Sequence, residues 1–224
     1  MREAMQGCEQ TAGQTVLDHG ESVCKHLFAL IDHLKGTYSL PEGTWRIPDA
    51  IFDHKVLLLS KLHNEGKLRL YTTYHDCGKP YCRYVDKKTG AVHFKEHARM
   101  SWYIWSCIGG NDVVGGLIKN DMVIHTATAE EIDRLLQTEL SPEDSASLLL
   151  VALAELHSNA RMFGGVSSTN FKMKFNKVER RSKQICKHLV SRCGPVLADL
   201  SGGSKDFDSP SQIVLPDVDA GTAQ

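Results

Sequence analysis

The sequence lacks an apolar run of the roughly 18 residues that a membrane-spanning helix requires, so it predicts no membrane partner. Its seven cysteines are odd in number and include no CxxC pair, which favours reduced thiols in a cytoplasmic protein over a disulfide framework. The start, MREAMQGCEQ, lacks the apolar core of a secretory signal. With a net charge of −1, the chain also lacks an overall field that would attract nucleic acid or a membrane surface.

Apolar residues recur at helical spacing along most of the 224 residues, which predicts an all-α protein. The predicted helices cover 14–35, 50–75, 97–108, 112–124, 129–138, 143–163 and 171–193. The segment 50–75 is predicted as one helix or as two, and in the second case the break lies near Gly66. Prolines and glycines predict a loop over 36–49, and DKKTG at 86–90 predicts a turn. We expect an N-terminal extension over 1–13, a helical domain over 14–195 and, from its composition, a flexible tail over 196–224.

One predicted helix is strongly basic. Within 172–192 the chain has eight lysines and arginines, but its only acidic residue is Glu179. A solvated face on a packed helix is the more common outcome of such a charge run, and a surface for RNA or DNA is the alternative.

Histidine is plentiful, with 11 residues, and the most informative of them is followed by an aspartate. His75 and Asp76 are both potential metal ligands, but neighbours on a helix point about 100° apart. Gly78 tolerates unusual backbone dihedrals and Pro80 cannot continue a helix, so we expect the helix to end at His75. The two side chains can then converge on one cation, for which imidazole and carboxylate favour Mn, Fe, Co, Ni or Zn over Ca.

The segments YHDCGKP (74–80) and VHFKEH (92–97) resemble the HD-domain superfamily of metal-dependent phosphohydrolases. Within that superfamily they look most similar to the HD domain of bacterial tRNA nucleotidyltransferases. The resemblance covers roughly residues 14–165. It implies an HD-domain helical bundle with a short excursion after the His-Asp pair. It also implies one or two divalent ions (Mn, Co, Ni, Zn, Fe or Mg) and hydrolysis of a nucleotide or small phosphoester.

The resemblance also implies a ligand set. An early helix supplies a first histidine, for which we choose His19, and His26 and His33 follow it on nearly the same stripe. His75 and Asp76 come next, and a late acid completes the set. The family has an aspartate at that late position, whereas this chain offers Glu155, with Asp121 and Asp112 as fallbacks.

Two further histidines, His97 and His125, resemble the additional histidines of members with two metals, and each could instead be a core histidine. Relatives often carry Asp directly after the later histidine, where this chain has Thr126. His93, on an extended segment, is expected at the surface or outside the direct ligand set.

Lys79 follows the ligand pair by three residues and is a candidate phosphate contact, with a surface lysine that forms a salt bridge within the loop as the alternative. Arg161 and Lys172 are weaker candidates for the same role. Asp76 can serve as both ligand and proton acceptor. The aromatic run Trp102, Tyr103 and Trp105 could stack on a base, although such a cluster more often belongs to the core.

Two other functions stay open. The same histidines and acids would suit a di-iron oxygenase. Alternatively, the missing late aspartate favours a catalytically degraded module that binds nucleic acid through 172–192.

Overall fold

The computed structural model describes residues 1–194, so the predicted tail at 196–224 lies outside the described residues. The described part of the chain is mostly helical. Its helices are α1 (Arg2–Gln6), α2 (Val16–Lys35), α3 (Asp49–Asp53), α4 (Lys55–Ser60), α5 (Glu65–Tyr74), α6 (Lys79–Cys82), α7 (His97–Cys107), α8 (Asp112–Lys119), α9 (Val123–Thr126), α10 (Ala129–Thr138), α11 (Pro142–Ser158) and α12 (Thr169–Cys193). Its strands are β1 (Glu9–Thr11), β2 (Gln14–Thr15), β3 (Arg83–Val85) and β4 (Val92–Phe94), and they form two antiparallel pairs. None of the helices within residues 1–194 has the length and the apolar character that crossing a bilayer requires.

The second helix, α2, begins and ends on strong local signals. Thr15 caps its N-terminus, where the Thr15 hydroxyl and the Asp18 carboxylate satisfy each other's backbone N–H groups. Gly36, in the left-handed conformation at φ 79°, ends it. The side chains buried along this helix include Leu27 and Leu30 and also one histidine, His19. The sequence pattern therefore brings a polar ring into the core.

Three helix boundaries differ from the sequence prediction. The segment 50–75 forms three helices, and its last break lies before Glu65 because the Asn64 side chain caps α5 by accepting the Lys67 N–H. Gly66 lies inside the first turn of α5, so the break predicted near it is present but falls a few residues earlier, between Ser60 and Glu65. The predicted helix 112–124 divides into α8 and α9 after Asn120, and the helix predicted to reach 163 ends at Ser158.

At the centre of the fold lies α11, in which nearly every side chain from Ser145 to Leu156 is buried. It packs against α2, and α2 also packs against α5. The α2–α5 contact is very close, since a Cβ placed on Gly20 would lie 2.2 Å from the Thr73 carbonyl oxygen. This close approach brings the residue before Gly20 next to the C-terminal end of α5.

The N-terminal extension is folded onto the domain. β1 pairs with β2, and Met5 and Cys8 pack with Val16 and with Cys77, the residue that follows the His-Asp pair. The extension therefore buries one side of the turn that follows α5.

The expected excursion after the His-Asp pair is a hairpin of β3 and β4, in which Tyr84 pairs with His93. The Asp86 carboxylate accepts the Lys88 and Thr89 N–H groups and so stabilises the predicted turn. His93 is exposed on β4.

His157 holds the loop between α2 and α3 in place. The His157 Nδ1–H donates to the Leu153 carbonyl (2.8 Å), its Nε2 accepts the Arg46 N–H (3.0 Å), and its ring stacks on Trp45 with centroids 4.1 Å apart. Burial lowers the pKa of His157 to about 4, so the ring is neutral at pH 7.

Because the buried His157 ring is neutral, we expect the protein to lose stability in mild acid. The unfolded chain binds the His157 proton with a pKa near 6.5 and the folded chain near 4. The neutral His157 ring therefore contributes its full stabilisation above about pH 6.5, and this stabilisation is lost as the pH falls toward 4. The loss amounts to at most about 3 kcal/mol of unfolding free energy. The free energy of unfolding is measured with urea, in EDTA, for the wild type and for His157→Phe at pH 7, 5.5 and 4. The difference between the two proteins isolates the effect of His157, because the titration of all other groups cancels. Equal pH slopes for the two proteins would refute it, and His93→Phe provides the exposed control.

Candidate metal centre

The helix that carries the His-Asp pair ends at Tyr74, and a tight turn follows it. Gly78 allows this turn to approach α7, since a Cβ on Gly78 would lie 2.3 Å from the Ser101 backbone nitrogen. The Gly78 N–H donates to the Ser101 hydroxyl (2.8 Å). In this turn His75 Nε2 lies 3.1 Å from Asp76 Oδ2, and both side chains are almost fully buried. Adjacent side chains therefore face a common point. The backbone at His75 and Gly78 stays in the right-handed helical region, so the unusual dihedrals expected at Gly78 do not occur, and glycine is required there by the close approach to Ser101.

Of the three histidines in α2, His19 reaches this point. Its Nε2 lies 3.6 Å from Asp76 Oδ2 and 3.8 Å from Glu155 Oε1, and its side chain is completely buried. The His26 ring instead donates to the Ser22 carbonyl, and the His33 ring contacts the Tyr38 carbonyl. Neither of these two rings contacts the His-Asp pair.

Among the predicted late acids, the structure brings Glu155 to the cluster. His19, His75 and Glu155 each offer an atom, and these atoms lie within 4.8 Å of one another. Asp121 is buried nearby but accepts a hydrogen bond from the Tyr71 hydroxyl (2.7 Å). Asp112 is exposed in the first turn of α8.

The two further histidines lie at the edges of the cluster, one on each carboxylate. His97 Nε2 is 3.6 Å from Asp76 Oδ1, and His125 Nε2 is 3.2 Å from Glu155 Oε2. Both side chains are about one-fifth exposed, at 21%. Each carboxylate thus contacts one edge histidine in addition to the central His19.

The central imidazoles have nitrogens with no hydrogen-bond partner among residues 1–194. These are Nδ1 and Nε2 of His19 and Nε2 of His75. The His75 Nδ1–H donates to the Thr72 carbonyl (2.8 Å), which leaves Nε2 directed at the cluster. A buried polar atom without a partner is costly unless a ligand satisfies it. Two imidazole nitrogens and two carboxylates match the donors that divalent transition metals prefer, so the residues fit a metal ion.

The electrostatics of the cluster keep both carboxylates ionised. Burial alone would raise the pKa of Asp76, but Lys79 and His75 lower it well below its usual range. Burial opposes ionisation of Glu155 as well, but its hydrogen bond with His125 and the nearby His19 and His75 rings hold its pKa well below the usual range. For His75, burial lowers the pKa, yet the charges of Asp76 and Asp121 outweigh it and raise the pKa to about 10. A metal ion that binds His75 must therefore displace the proton that these carboxylates hold on the ring.

Lys79 forms the salt bridge within its loop that the alternative predicted, but it is buried and not at the surface. It is 9% exposed, its Nζ lies 2.5 Å from Asp76 Oδ2, and it donates to Gln10 of the N-terminal extension (2.9 Å). The extension thus contributes a residue that orients Lys79.

The other predicted phosphate contacts lie elsewhere. Arg161 lines a cavity beside Trp45, and Lys172 is exposed on α12. The cavity that reaches Glu155 and His125 is about 170 Å³ and is lined instead by Lys174 and Lys177. Sequence reasoning missed these two lysines because nothing in a basic helix indicates which of its charges faces a distant glutamate.

The aromatic run divides between core and surface. Trp105 is buried and its indole N–H donates to the Asn111 carbonyl (2.9 Å), so the core interpretation holds for this residue. Trp102 and Tyr103 are 39% and 57% exposed, so for them the core interpretation is wrong.

Comparison of the chain with protein-family models, with curated proteins and with solved structures finds no match.

Proposed function

We propose that this protein is a metal-dependent phosphohydrolase that acts on a nucleotide or another phosphoester. The observation that carries the proposal is the buried cluster, in which unpartnered nitrogens of His19 and His75 face the ionised carboxylates of Asp76 and Glu155. Four donors from α2, the turn after α5, and α11 would hold the ion. A bound divalent ion polarises a phosphoryl oxygen and brings the pKa of coordinated water near neutrality.

The other residues of the site have roles that follow from their positions. Lys79, paired with Asp76, keeps that carboxylate ionised and oriented. His97 and His125, partly exposed at the two edges, carry exchangeable protons and can deliver one to the departing oxygen. Lys174 and Lys177 line the cavity beside Glu155 and would attract the phosphoryl group.

A metal-supplemented screen tests the proposal. Protein stripped with EDTA is reloaded with Mn²⁺, Co²⁺, Ni²⁺, Zn²⁺, Fe²⁺ or Mg²⁺ and assayed with nucleotides and 2′,3′-cyclic phosphates, with and without oxygen. We expect turnover that depends on the metal and not on oxygen. The absence of turnover with every metal, in protein shown to bind the metal, would reject the proposal.

A di-iron oxygenase is a second candidate, and one observation favours it. Each of the two carboxylates contacts an edge histidine as well as His19, so the donors suffice for two ions. Two irons per chain and oxygen-dependent turnover in the same screen would favour this candidate. Hydrolysis under nitrogen would favour the phosphohydrolase.

The cavity lysines provide a prediction about substrate binding. Replacing both Lys174 and Lys177 with alanine is expected to raise KM about 5- to 10-fold and leave kcat within about twofold, because exposed charge pairs are each worth up to about 1 kcal/mol. Lys172→Ala on the same helix is the matched control and should change neither constant. An unchanged KM in the double variant would contradict a substrate path through this cavity.

A further inference from the structure

Exposed aromatic side chains are concentrated in one part of the described chain. Six tyrosine, tryptophan or phenylalanine side chains are exposed among residues 1–194, and four of them lie between 81 and 103. These four are Tyr81 and Tyr84 near the hairpin and Trp102 and Tyr103 on α7. Large apolar groups left in solvent together point to a binding surface.

The hairpin itself is open to solvent except at Phe94, which packs against the core beside the N-terminal extension. All three residues of β3 and two of the three in β4 are exposed. The cross-strand partners Val85 and Val92 are both exposed, and the Tyr84 and His93 rings lie 6.5 Å apart. A hairpin that buries so little of itself leaves exposed side chains that a partner can contact.

A cavity of about 320 Å³ lies along α7, and it combines aromatic rings with positive charge. Its lining residues are Lys95, Glu96, Arg99, Met100, Trp102 and Tyr103. The Lys119 ammonium lies 5.6 Å over the Trp102 ring. Cavities that bury an organic ligand of moderate size measure about 300–1,000 Å³, so this cavity can accommodate a ring system.

The charges around these rings are mostly positive. Exposed cations along the hairpin and the start of α7 are Arg83, Lys87, Lys88, Lys95 and Arg99. Of the two acids in the same stretch, Asp86 is used to cap the hairpin turn, which leaves Glu96 as the free carboxylate. Basic side chains interleaved with exposed rings match a chain that alternates phosphates and bases.

This surface borders the candidate metal centre directly. Glu96 lines the cavity, and the next residue, His97, contacts Asp76. Glu96 has φ 56°, a left-handed conformation that non-glycine residues seldom adopt, and the His97 Nδ1–H donates to the Phe94 carbonyl of β4 (3.0 Å). The hairpin and α7 thus meet at a residue of the metal centre.

We propose that the aromatic–basic surface, formed by Tyr81, Tyr84, Lys95, Arg99, Trp102 and Tyr103, binds a single strand of nucleic acid. A base stacks in the cavity on α7, and a neighbouring phosphate reaches His97 and the metal centre. The strand is single because bases must be unstacked to lie on side-chain rings. It is longer than a mononucleotide because the rings and cations extend over the hairpin as well as α7. The proposal rests on the proposed function and names its substrate class.

Oligonucleotide binding tests the surface without hydrolysis. Fluorescence anisotropy with a labelled 12-nucleotide single strand is measured in EDTA for the wild type and for Trp102→Ala and Tyr103→Ala. Each variant is expected to bind roughly 10-fold more weakly, since stacking on one base is worth about 1–3 kcal/mol. Replacing Lys95 and Arg99 with alanine is expected to lower the slope of log K against log salt by about 0.7 per residue.

Two matched controls complete the experiment. Phe52→Ala removes an exposed ring outside the surface, and Lys183→Ala with Lys187→Ala removes two charges from the basic α12 face; both should leave binding unchanged. Wild-type affinity in the surface variants, or loss of binding only in the α12 variant, would overturn the proposal. Competition by a mononucleotide as strong as that by the strand would overturn it too. If the surface variants lose binding but the metal screen finds no hydrolysis, the surface stands and the proposed function fails.

Discussion

Replacing His75 with alanine is expected to reduce both metal content and phosphate release at least about 100-fold. Loss of a residue that only orients a metal ligand typically costs 10- to 100-fold, and His75 offers its own unpartnered Nε2 to the site. Metal content is measured by inductively coupled plasma mass spectrometry and turnover by phosphate release. His93→Ala removes a histidine from the exposed hairpin and should retain full metal content and activity.

Asp76→Ala is expected to remove activity to the same extent but also to destabilise the protein. It leaves the Lys79 ammonium buried without its partner, which typically costs about 3–5 kcal/mol of unfolding free energy. Asp76→Ala combined with Lys79→Met removes both charges and should recover most of that stability without recovering activity. A His75→Ala protein, or a stable Asp76→Ala/Lys79→Met protein, that keeps wild-type metal content would contradict the metal centre.

Gly20→Ala is the second substitution with a large expected effect. Its Cβ would lie 2.2 Å from the Thr73 carbonyl oxygen and 2.9 Å from the carbonyl carbon, both backbone atoms that cannot move alone. The α2 and α5 helices must separate, which is expected to cost about 3 kcal/mol of unfolding free energy or more. Because His19 precedes Gly20, the separation also draws its ring away from His75 and weakens metal binding.

Gly116→Ala provides the comparison, since Gly116 is also inside a helix but a Cβ there meets nothing within 4 Å. Alanine is the better helix former, so this variant should gain about 0.5–1 kcal/mol. Urea unfolding gives the free energies and titration with Co²⁺ the metal affinity. Equal stabilities of the two variants would show that α2 and α5 do not approach as closely as described.

Local signals predicted the elements more accurately than their ends. The helix end after Tyr74 was predictable because Pro80 cannot continue a helix, whereas Gly78 is required by the tertiary contact with Ser101. The break near Gly66 was predicted slightly too late, since the Asn64 cap two residues earlier decided where α5 begins. A side-chain cap is harder to recognise than a glycine because it depends on one hydrogen bond.

The choice between equivalent candidates required the tertiary structure. His19, His26 and His33 lie at seven-residue intervals, so the period of the helix barely separates them. The contact at Gly20 selects His19, because it places this part of α2 against Thr73, just before the His-Asp pair. Asp121 is as buried as a ligand would be, but the Tyr71 hydroxyl already occupies one of its oxygens.

The amino-acid sequence alone determined the helical character of residues 1–194 and the end of the helix just before His75 and Asp76, because both follow from spacing and backbone preference within a few residues. The partners of that pair were decided only by the fold. Almost all of α11 is buried, so its apolar pattern does not indicate that Glu155 faces His19. The same holds for Lys174 and Lys177, since the distance between side chains of separate helices depends on how those helices pack.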